Sequence, residues 1–536
     1  MKMNKKNKSA IDLYSGIGGW SLGFKLAGID ISASYEWWEP ANKTHQSNLE
    51  SKTHQVDIRK LSIDDLPKEV DFVVGSPPCT QFSYSNRGGS GDIADGLVDI
   101  KKFLDVVNQL KPISWAMENV PRVANVLKNE LRAGGQLEEY SHLLDESMIH
   151  VYNLSEFGLP QKRRRCIAGN FDYKLLESYR HICQRRTLGD VLDALSKKRI
   201  KDPNYQIENS NNMVTELEKE APLSWEELRY NRESKTNHTI YNNMEFPDPT
   251  NNAVRTVTAT CTRVSRESII IRDGDEFRRL SVRERGVLQG FPISYEFMGE
   301  SHAEKIKMIG NAIPPVFTYY LANSMLGTPA QKLVPVDQVK YQIPPSKRKA
   351  KVTKPDTAGK TYPLTRSFRF AIPNLRFKSG TRFELSNSTS ECVWSVKFFY
   401  GDSKRILELD LDQHLFARVS AALKTSSNAT LLQVTNLIDN KVIAEESSKL
   451  QSTWAGKSEI SHPFLTLDQL GDCAAHVISH LFQYEDGFLQ KIVAAETTVI
   501  DPQKNLPIGA NKLKKFAREV VAGILIGCTF NANIDQ

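Results

Sequence analysis

The sequence has no Cys-x-x-Cys pair; its seven cysteines, at 79, 166, 183, 261, 392, 473 and 528, stand far apart. That scatter argues against a zinc ribbon and fits a chain kept reduced in a cytoplasm. No apolar run approaches the ~20 residues a membrane span needs. The basic start Met1-Lys-Met-Asn-Lys-Lys-Asn-Lys8 leads into Asp12, Ser15 and a cluster of glycines, not an apolar stretch, so it does not read as a signal peptide. A dinucleotide fingerprint is also missing. After Gly16 and Gly18, Ser21 stands where that motif requires glycine, which disfavours a nicotinamide enzyme. With 536 residues, 40% hydrophobic and 25% charged, the chain reads as a soluble globular protein of two or three domains. Its net charge of +7 permits a nucleic-acid partner without requiring one.

The most informative stretch is Asp71-Phe-Val-Val-Gly75-Ser-Pro77-Pro78-Cys79-Thr80-Gln81-Phe82-Ser83. Apolar residues run into Gly75 as a short buried strand, and Gly75 with the two prolines stops it. The next reactive side chain is the Cys79 thiol, held at a sheet edge, where open α/β folds bind ligands. Restricted backbone beside it places the thiol and does not leave it mobile. A small buried Cys after a turn is the plainer reading of this stretch alone.

The flanking segments add to it. Ala10–Leu13 reads as a strand, Tyr14–Gly19 as a glycine-rich turn, and Leu22, Leu26 and Ile29 as the apolar side of a helix. Gly16, Gly18 and Gly19 admit a ligand close to the backbone, and the helix start offers free N–H groups. A second strand, 31–35, ends at Glu36 beside Trp37, and a third, 54–58, ends at Asp57 and Ile58. Two carboxylates beside a glycine loop suit a nucleoside without a polyphosphate, because they would repel phosphate. S-adenosylmethionine, with a ribose and a sulfonium cation, fits. Residues 84–97 are polar and glycine-rich and read as a mobile loop, followed by a helix over 99–110. Ile113–Pro121 reads as a buried strand ending in Glu118. In the run from Gln161 to Ile167, strand alternation points Gln161, Arg163 and Arg165 the same way.

Taken together, SGIGG, Glu36-Trp37, Asp57-Ile58, PPC with FS after it, ENV, QxRxR, and later Arg278–Glu284, Leu288–Pro292 and Gly310–Val316 resemble the DNA (cytosine-5) methyltransferases, in the family's order, over about residues 10 to 325. Two departures stand out: Tyr14 where Phe is usual, and Thr80-Gln81 where a Gln directly follows the Cys. Ser76 also replaces a usual Gly or Phe. The resemblance implies catalytic roles for Cys79, Glu118, Arg163 and Arg165. It implies S-adenosyl-L-methionine as methyl donor, bound by Tyr14, Gly16, Gly18, Gly19, Glu36, Trp37, Asp57, Ile58, Pro78 and Asn311, with no metal. Cytosine C5 is too poor a nucleophile to take a methyl group unaided, so a thiolate adding at C6 is needed. Glu118 would share a proton at the N3 edge and the arginines would stabilise the same intermediate. The target base must leave the duplex, with the loop after Cys79 as clamp.

The expected fold is α/β, a doubly wound Rossmann-like methyltransferase domain with a small target-recognition region, plus a C-terminal α+β domain. The expected boundaries are 1–186 for the catalytic core, 187–275 for recognition, 276–328 for the return to the core, 329–361 for a solvated Pro/Lys-rich linker, and 362–536 for the last domain. Within the recognition region, 187–195 reads as a helix, 256–262 and 268–272 as strands, and the rest as polar sequence rich in Asn, Arg and Lys, the residues that read base edges and phosphates. The C-terminal domain offers a hairpin over 393–411 and helices through Leu467–Leu481 and Leu513–Ile524. Glu408, Asp410 and Asp412 share a strand face, and His476 and His480 stand one helical turn apart. Neither set comes with the partners a nuclease or a zinc site needs. The chain up to about Thr328 is expected to stand alone. The expected partner is double-stranded DNA, without a membrane, in a bacterial cytoplasm at the nucleoid, within restriction–modification or phage defence; the last domain would bind a protein partner or DNA. A tRNA methyltransferase, a catalytically silent DNA-binding module and a fused methylase–endonuclease are the alternatives.

Overall fold

The structure is a computed structural model, described here for all residues except 1–6, 50, 83–90, 211–213, 238–243, 342, 347, 358–361, 378–379, 389, 402–405, 425–427, 443–444, 457–461, 498–512 and 535–536. The N-terminal sequence forms β1 (Ser9–Leu13), β2 (Asp30–Glu36), β3 (Thr53–Gln55), β4 (Phe72–Gly75), β5 (Ser114–Asn119), β6 (Ile149–Asn153), β7 (Gln161–Lys162) and β8 (Arg164–Gly169). Seven of these build one sheet in the order β3-β2-β1-β4-β5-β8-β6. The first five strands run parallel, and β8 is antiparallel to both β5 and β6.

The sheet is covered on both faces, and strand alternation shows why. Ile11, Leu13, Val73, Trp115 and Met117 enter one core, whereas Ala10, Phe72, Val74 and Ala116 enter the other. Helix α1 (Gly19–Leu26) closes the second core with Trp20 and Phe24, and the helix Pro315–Met325 with Phe317 and Leu321. Helix α2 spans Glu39–Leu49, and α3 (Ile93–Leu110) closes the first core with Phe103, Leu104 and Val107. This is the expected doubly wound α/β domain.

Boundaries differ in instructive ways. Helix α3 starts at Ile93, six residues before the expected start, because Asp92 accepts the Asp95 N–H as its N-cap. The expected mobile loop therefore loses its last residues to a helix, and its first residues, 84–90, lie outside the described residues. The return to the core contains three helices, Val282–Leu288, His302–Asn311 and Pro315–Met325. In the recognition region Thr187 caps a helix over Leu188–Leu195 through a capping box. The expected strand over 256–262 is absent; Val254–Arg255 pairs instead with β7, while Ile270–Asp273 and Glu276–Arg279 form a hairpin.

The chain divides into two compact units, one of residues 1–223 and 247–357, the other of 224–246 and 358–536. This differs from the expected boundaries at two places. The expected solvated linker is packed onto the first unit as far as 357. Ala350 N–H donates to Glu296 (2.8 Å), Thr353 N–H to Glu216 (3.0 Å), and Asp356 accepts from Arg279 (2.8 Å). Glu216 and Glu296 are buried carboxylates that require such donors. Second, residues 224–246, expected in the recognition region, belong to the other unit.

That second unit is a four-stranded antiparallel sheet (Arg369–Arg376, Arg382–Asn387, Trp394–Gly401, Ile406–Leu409) packed with helices, an α+β arrangement as expected. The helix Trp225–Thr236, started by a Ser224–Glu227 capping box, packs Tyr230 against its core. Glu226 pairs with Arg366 at 2.6 Å, and Arg229 with Asp468 at 2.5 Å. Glu408 is engaged by Lys397 at 3.1 Å, and Asp412 caps the Leu415 N–H at 2.7 Å. Among the described residues no group of three or more His, Cys, Asp or Glu is arranged to hold a metal, and no helix is long and apolar enough to cross a membrane.

Candidate active site

Parallel register aligns Leu13 with Tyr35 on one side and with Gly75 on the other, and Gly75 with Met117. The residues that follow, Tyr14, Glu36, Ser76 and Glu118, are thereby brought to one edge of the sheet, at the carboxyl ends of its strands. Gly75 is required here, since a Cβ on it would fall 2.4 Å from the Leu13 carbonyl oxygen.

The turn after β4 is tied on both sides. Ser76 N–H donates to Leu13 O (3.2 Å), and the Trp20 indole N–H donates to Ser76 Oγ (3.0 Å). The departure at Ser76 thus gives the buried indole its acceptor. Asn119 Nδ2 donates to Pro77 O at 3.0 Å, which locks the β5 end to the proline turn. Cys79 follows, half-buried, and its carbonyl accepts the Phe82 N–H at 3.0 Å. Burial first, and then the Glu118 charge, push the Cys79 thiol up; Arg165 and Arg163 pull it down.

Glu118 and Arg165 form an ion pair, Nε to Oε1, at 2.7 Å, both side chains mostly buried. They are diagonal neighbours on antiparallel β5 and β8, where Glu118 lies opposite Ile167. Arg163 shares a neighbour with Gln161, whose Oε1 accepts the Val257 N–H at 2.8 Å. The Arg163 side chain is buried and donates to Val257 O (3.1 Å), Gly310 O (2.9 Å) and Ala312 O (3.0 Å). Arg163 therefore fastens the recognition segment and the returning helices beneath the site. Gln161 is buried and donates to Gln289 and Leu288 O.

On the other side lies the glycine loop. Tyr14, Gly16 and Gly18 all have positive φ. Only Gly16 has open space where a Cβ would point. A Cβ on Gly18 would meet the His45 ring at 2.9 Å, and one on Gly19 the Ile313 carbonyl at 2.0 Å. Gly18 and Gly19 are thus required for close packing, whereas the Cβ direction of Gly16 opens into free space. Glu36 is buried; one oxygen accepts from Gly16 N–H (2.9 Å) and the other from Trp38 N–H (2.8 Å). Trp37 is 66% exposed beside it. Asp57 is exposed and caps the turn Ile58–Lys60 through Arg59 N–H at 3.1 Å, with Ile58 buried below. Pro78 and Asn311 are exposed; Asn311 is the last residue of its helix.

Two residues without a role in the sequence reading support this loop. Asp12, fully buried, accepts the Ser21 N–H (3.2 Å) and hydroxyl (2.7 Å), capping the start of α1 in place of a side chain at Gly18. Burial pushes its carboxyl up to about 7. His45, buried under Gly18, contacts Ser15 Oγ at 3.2 Å, and burial pushes it down to about 3. Both act through contacts distant in sequence. The only local signal was an acid at a strand end before glycines.

A glycine loop beside a buried acid at one strand end, with a thiol and a Glu–Arg pair at others, is an arrangement for a methyltransferase working through sulfur on an aromatic base. Residues 9–327 match the model of the C-5 cytosine-specific DNA methylases, and the chain belongs to that family and is an enzyme of its kind. It is 28% identical over 320 residues to the type II methyltransferase M.HgiDI of Herpetosiphon aurantiacus, covering 59% of this chain and 93% of that protein. To the type II methyltransferase M.HindV of Haemophilus influenzae it is 27% identical, covering 59% and 95%. Among solved structures, a putative prophage-encoded DNA modification methyltransferase of E. coli aligns with 60% of this chain and 99% of its own at 21% identity and a TM-score of 0.41. The family match ends at residue 327 and does not reach the stretch 358–536.

Proposed function

We propose that the protein methylates C5 of a cytosine turned out of a specific double-stranded DNA sequence, as the modification half of a restriction–modification or phage-defence system in a bacterial cytoplasm. The observation that carries this reading is the Glu118–Arg165 ion pair acting on the Cys79 thiol at one sheet edge. Cys79, as thiolate, adds to cytosine C6. The ring electron pair moves toward N3 and the exocyclic oxygen. Glu118 supplies or shares a proton at N3, and Arg165 balances the charge that builds there. C5 becomes nucleophilic and accepts a methyl group; loss of the C5 proton to a base then expels the Cys79 sulfur.

The residues around the glycine loop fit S-adenosylmethionine, which supplies an electrophilic methyl on sulfonium. Glu36 would hold its ribose hydroxyls, the open side of Gly16 would admit it, and Trp37 offers an exposed aromatic face. Arg163 positions the site and does not touch substrate. Bisulfite sequencing of duplex DNA incubated with the protein and S-adenosylmethionine, with tRNA in parallel, tests the reading. A sequence-specific set of protected cytosines in DNA is expected; protection restricted to tRNA, or none, contradicts it.

A further inference from the structure

The two departures from the family pattern noted in the sequence, Tyr14 for Phe and Thr80-Gln81 for Gln, are the two ends of one hydrogen-bonded network. The Tyr14 hydroxyl, absent from a Phe, reaches Asp99 Oδ1 and Asp99 O at 3.2 Å each. Asp99 is nearly buried and takes Arg59 in a two-point grip, Nε to Oδ1 at 3.0 Å and Nη2 to Oδ2 at 2.7 Å. The same guanidinium continues to Asp95, Nη1 to Oδ1 at 2.8 Å and Nη2 to the carbonyl at 3.1 Å. Asp95 Oδ2 then accepts Gln81 Nε2 at 3.1 Å, and Gln81 Oε1 accepts the Asp92 N–H at 3.0 Å.

Each end of this network sits in the site. Tyr14 and Arg59 follow the ends of β1 and β3, next to Gly16 and Ile58. Gln81 is a central residue of the turn that Cys79 opens, since Phe82 N–H bonds to Cys79 O at 3.0 Å. A Cβ on Gly91 would fall 2.2 Å from Gln81 O, so the chain re-enters directly against this turn. Gln81 uses both halves of its amide, and the first turn of α3 receives both. In the usual arrangement, with the glutamine one residue earlier, that amide would leave the turn in another direction.

We propose that Arg59, Asp95 and Gln81 are positioning residues for methyl transfer: they hold the Cys79 turn in its reacting place and tie that place to the cofactor pocket through Asp99 and Tyr14. The inference rests on the function proposed above. None of the three touches the reacting atoms: Asp95 and Gln81 act on the rate of the chemical step and not on binding, whereas Arg59, which grips Asp99 beside Tyr14, acts on both. A displaced thiol slows its own addition steeply, because small misplacements of a reacting group are costly.

The test is single-turnover methylation of duplex DNA, with S-adenosylmethionine affinity and thermal midpoint measured on the same preparations. Gln81→Ala is expected to slow the chemical step by about 10- to 100-fold, with cofactor affinity and thermal midpoint essentially unchanged. Gln81→Glu, which sets a carboxylate against Asp95, is expected to be as slow, and adding Asp95→Asn to it to restore most of the rate, because the pair can again share a hydrogen bond. Arg59→Ala is expected to slow the step and weaken cofactor binding together. Gln81→Ala at the wild-type rate, or a slowing matched by equal losses of affinity and thermal midpoint, overturns the inference. So does a Gln81→Glu/Asp95→Asn protein no faster than Gln81→Glu. Wild-type protein inert on DNA overturns the functional reading and this inference with it; an active wild type with an unaffected Gln81→Ala overturns this inference alone.

Discussion

Tyr230 stacks on Trp454 with ring centroids 6.0 Å apart and 19° between the planes. A helix from the middle of the methyltransferase sequence is therefore part of the C-terminal unit. The chain passes between the two units three times, at 223/224, 246/247 and 357/358. All three exits are anchored within the first unit around one hairpin. Leu223 N–H bonds to Phe277 O and Asp248 N–H to Ile270 O, each at 2.8 Å, and Arg263 donates to Pro222 O (2.6 Å) and Asp356 O (3.3 Å). A chain cut near Thr328 would lose the Thr353 and Ala350 donors to Glu216 and Glu296 and leave Tyr230 without its core. We expect it to be insoluble or aggregated, contrary to the independence its sequence suggests. In the full chain, Tyr230→Ala should destabilise the second unit by about 2–4 kcal/mol. Size-exclusion chromatography and urea unfolding check both; a monodisperse 1–328 chain that binds S-adenosylmethionine would contradict the first.

Replacing Cys79 by Ser should abolish methyl transfer and spare cofactor binding, since the two lie on different strand ends. A covalent adduct with 5-fluorocytosine DNA should form with the native protein and not with the variant. The thiol itself should alkylate slowly near neutral pH in the absence of DNA, because burial and Glu118 hold its proton on. The rate should climb with pH. Glu118→Gln should move that profile to lower pH and Arg165→Ala to higher pH, as mapped by mass spectrometry of the Cys79 peptide. Profiles that do not move would show that the three groups are not electrostatically coupled.

The strands of the doubly wound fold and the site's strand ends were legible because both rest on local signals: short apolar runs, each followed by glycine, proline or an acid. Cys79, Glu118 and Arg165 meet because register in such a sheet follows from its topology. The reach of Gln161 and Arg163 to Val257, and the close approach of His45 to Gly18 and of Ile313 to Gly19, were not legible, because these neighbours lie 27 or more residues away in the chain. The helix Trp225–Thr236 was hidden for the opposite reason. Its polar composition suggested a recognition surface, and its buried residues are polar or charged, Glu226 pairing with Arg366 and Lys235 donating to Asn231. The linker likewise reads as solvated because part of its packing, from the Ala350 and Thr353 N–H groups, is made by backbone, which carries no sequence signature.

The cofactor pocket makes its own prediction. Glu36 already accepts two backbone N–H groups, so it is fixed in place before any ligand arrives. Glu36→Ala should weaken S-adenosylmethionine binding by about 1–3 kcal/mol, the contribution of a charged hydrogen-bond partner, with release of the Gly16 turn included. Glu36→Gln should recover part of this, since its amide oxygen can still accept one of the two N–H groups. Isothermal titration of the three proteins decides; equal affinities would remove Glu36 from the pocket.

Asp12 links the site to the pH dependence of stability. Its carboxyl is pushed up to about 7 in the folded protein, chiefly by burial, against an ordinary value near 3.8. The folded state therefore binds this proton more tightly than the unfolded state. Its stabilising contribution is complete below pH ~4 and is lost as pH rises from there through about 7. Asn at this position keeps an oxygen to accept the Ser21 N–H and hydroxyl, and it cannot ionise. Asp12→Asn should therefore gain stability relative to the wild type on going from acid to neutral pH, by an amount of order 1 kcal/mol or more. Urea unfolding of both proteins at several pH values between 4.5 and 8 measures the difference. If the gap between them stays constant across that range, Asp12 titrates with its ordinary affinity. The cap on α1 would then be held by a carboxylate ionised throughout, its charge balanced by the helix start and not suppressed by burial.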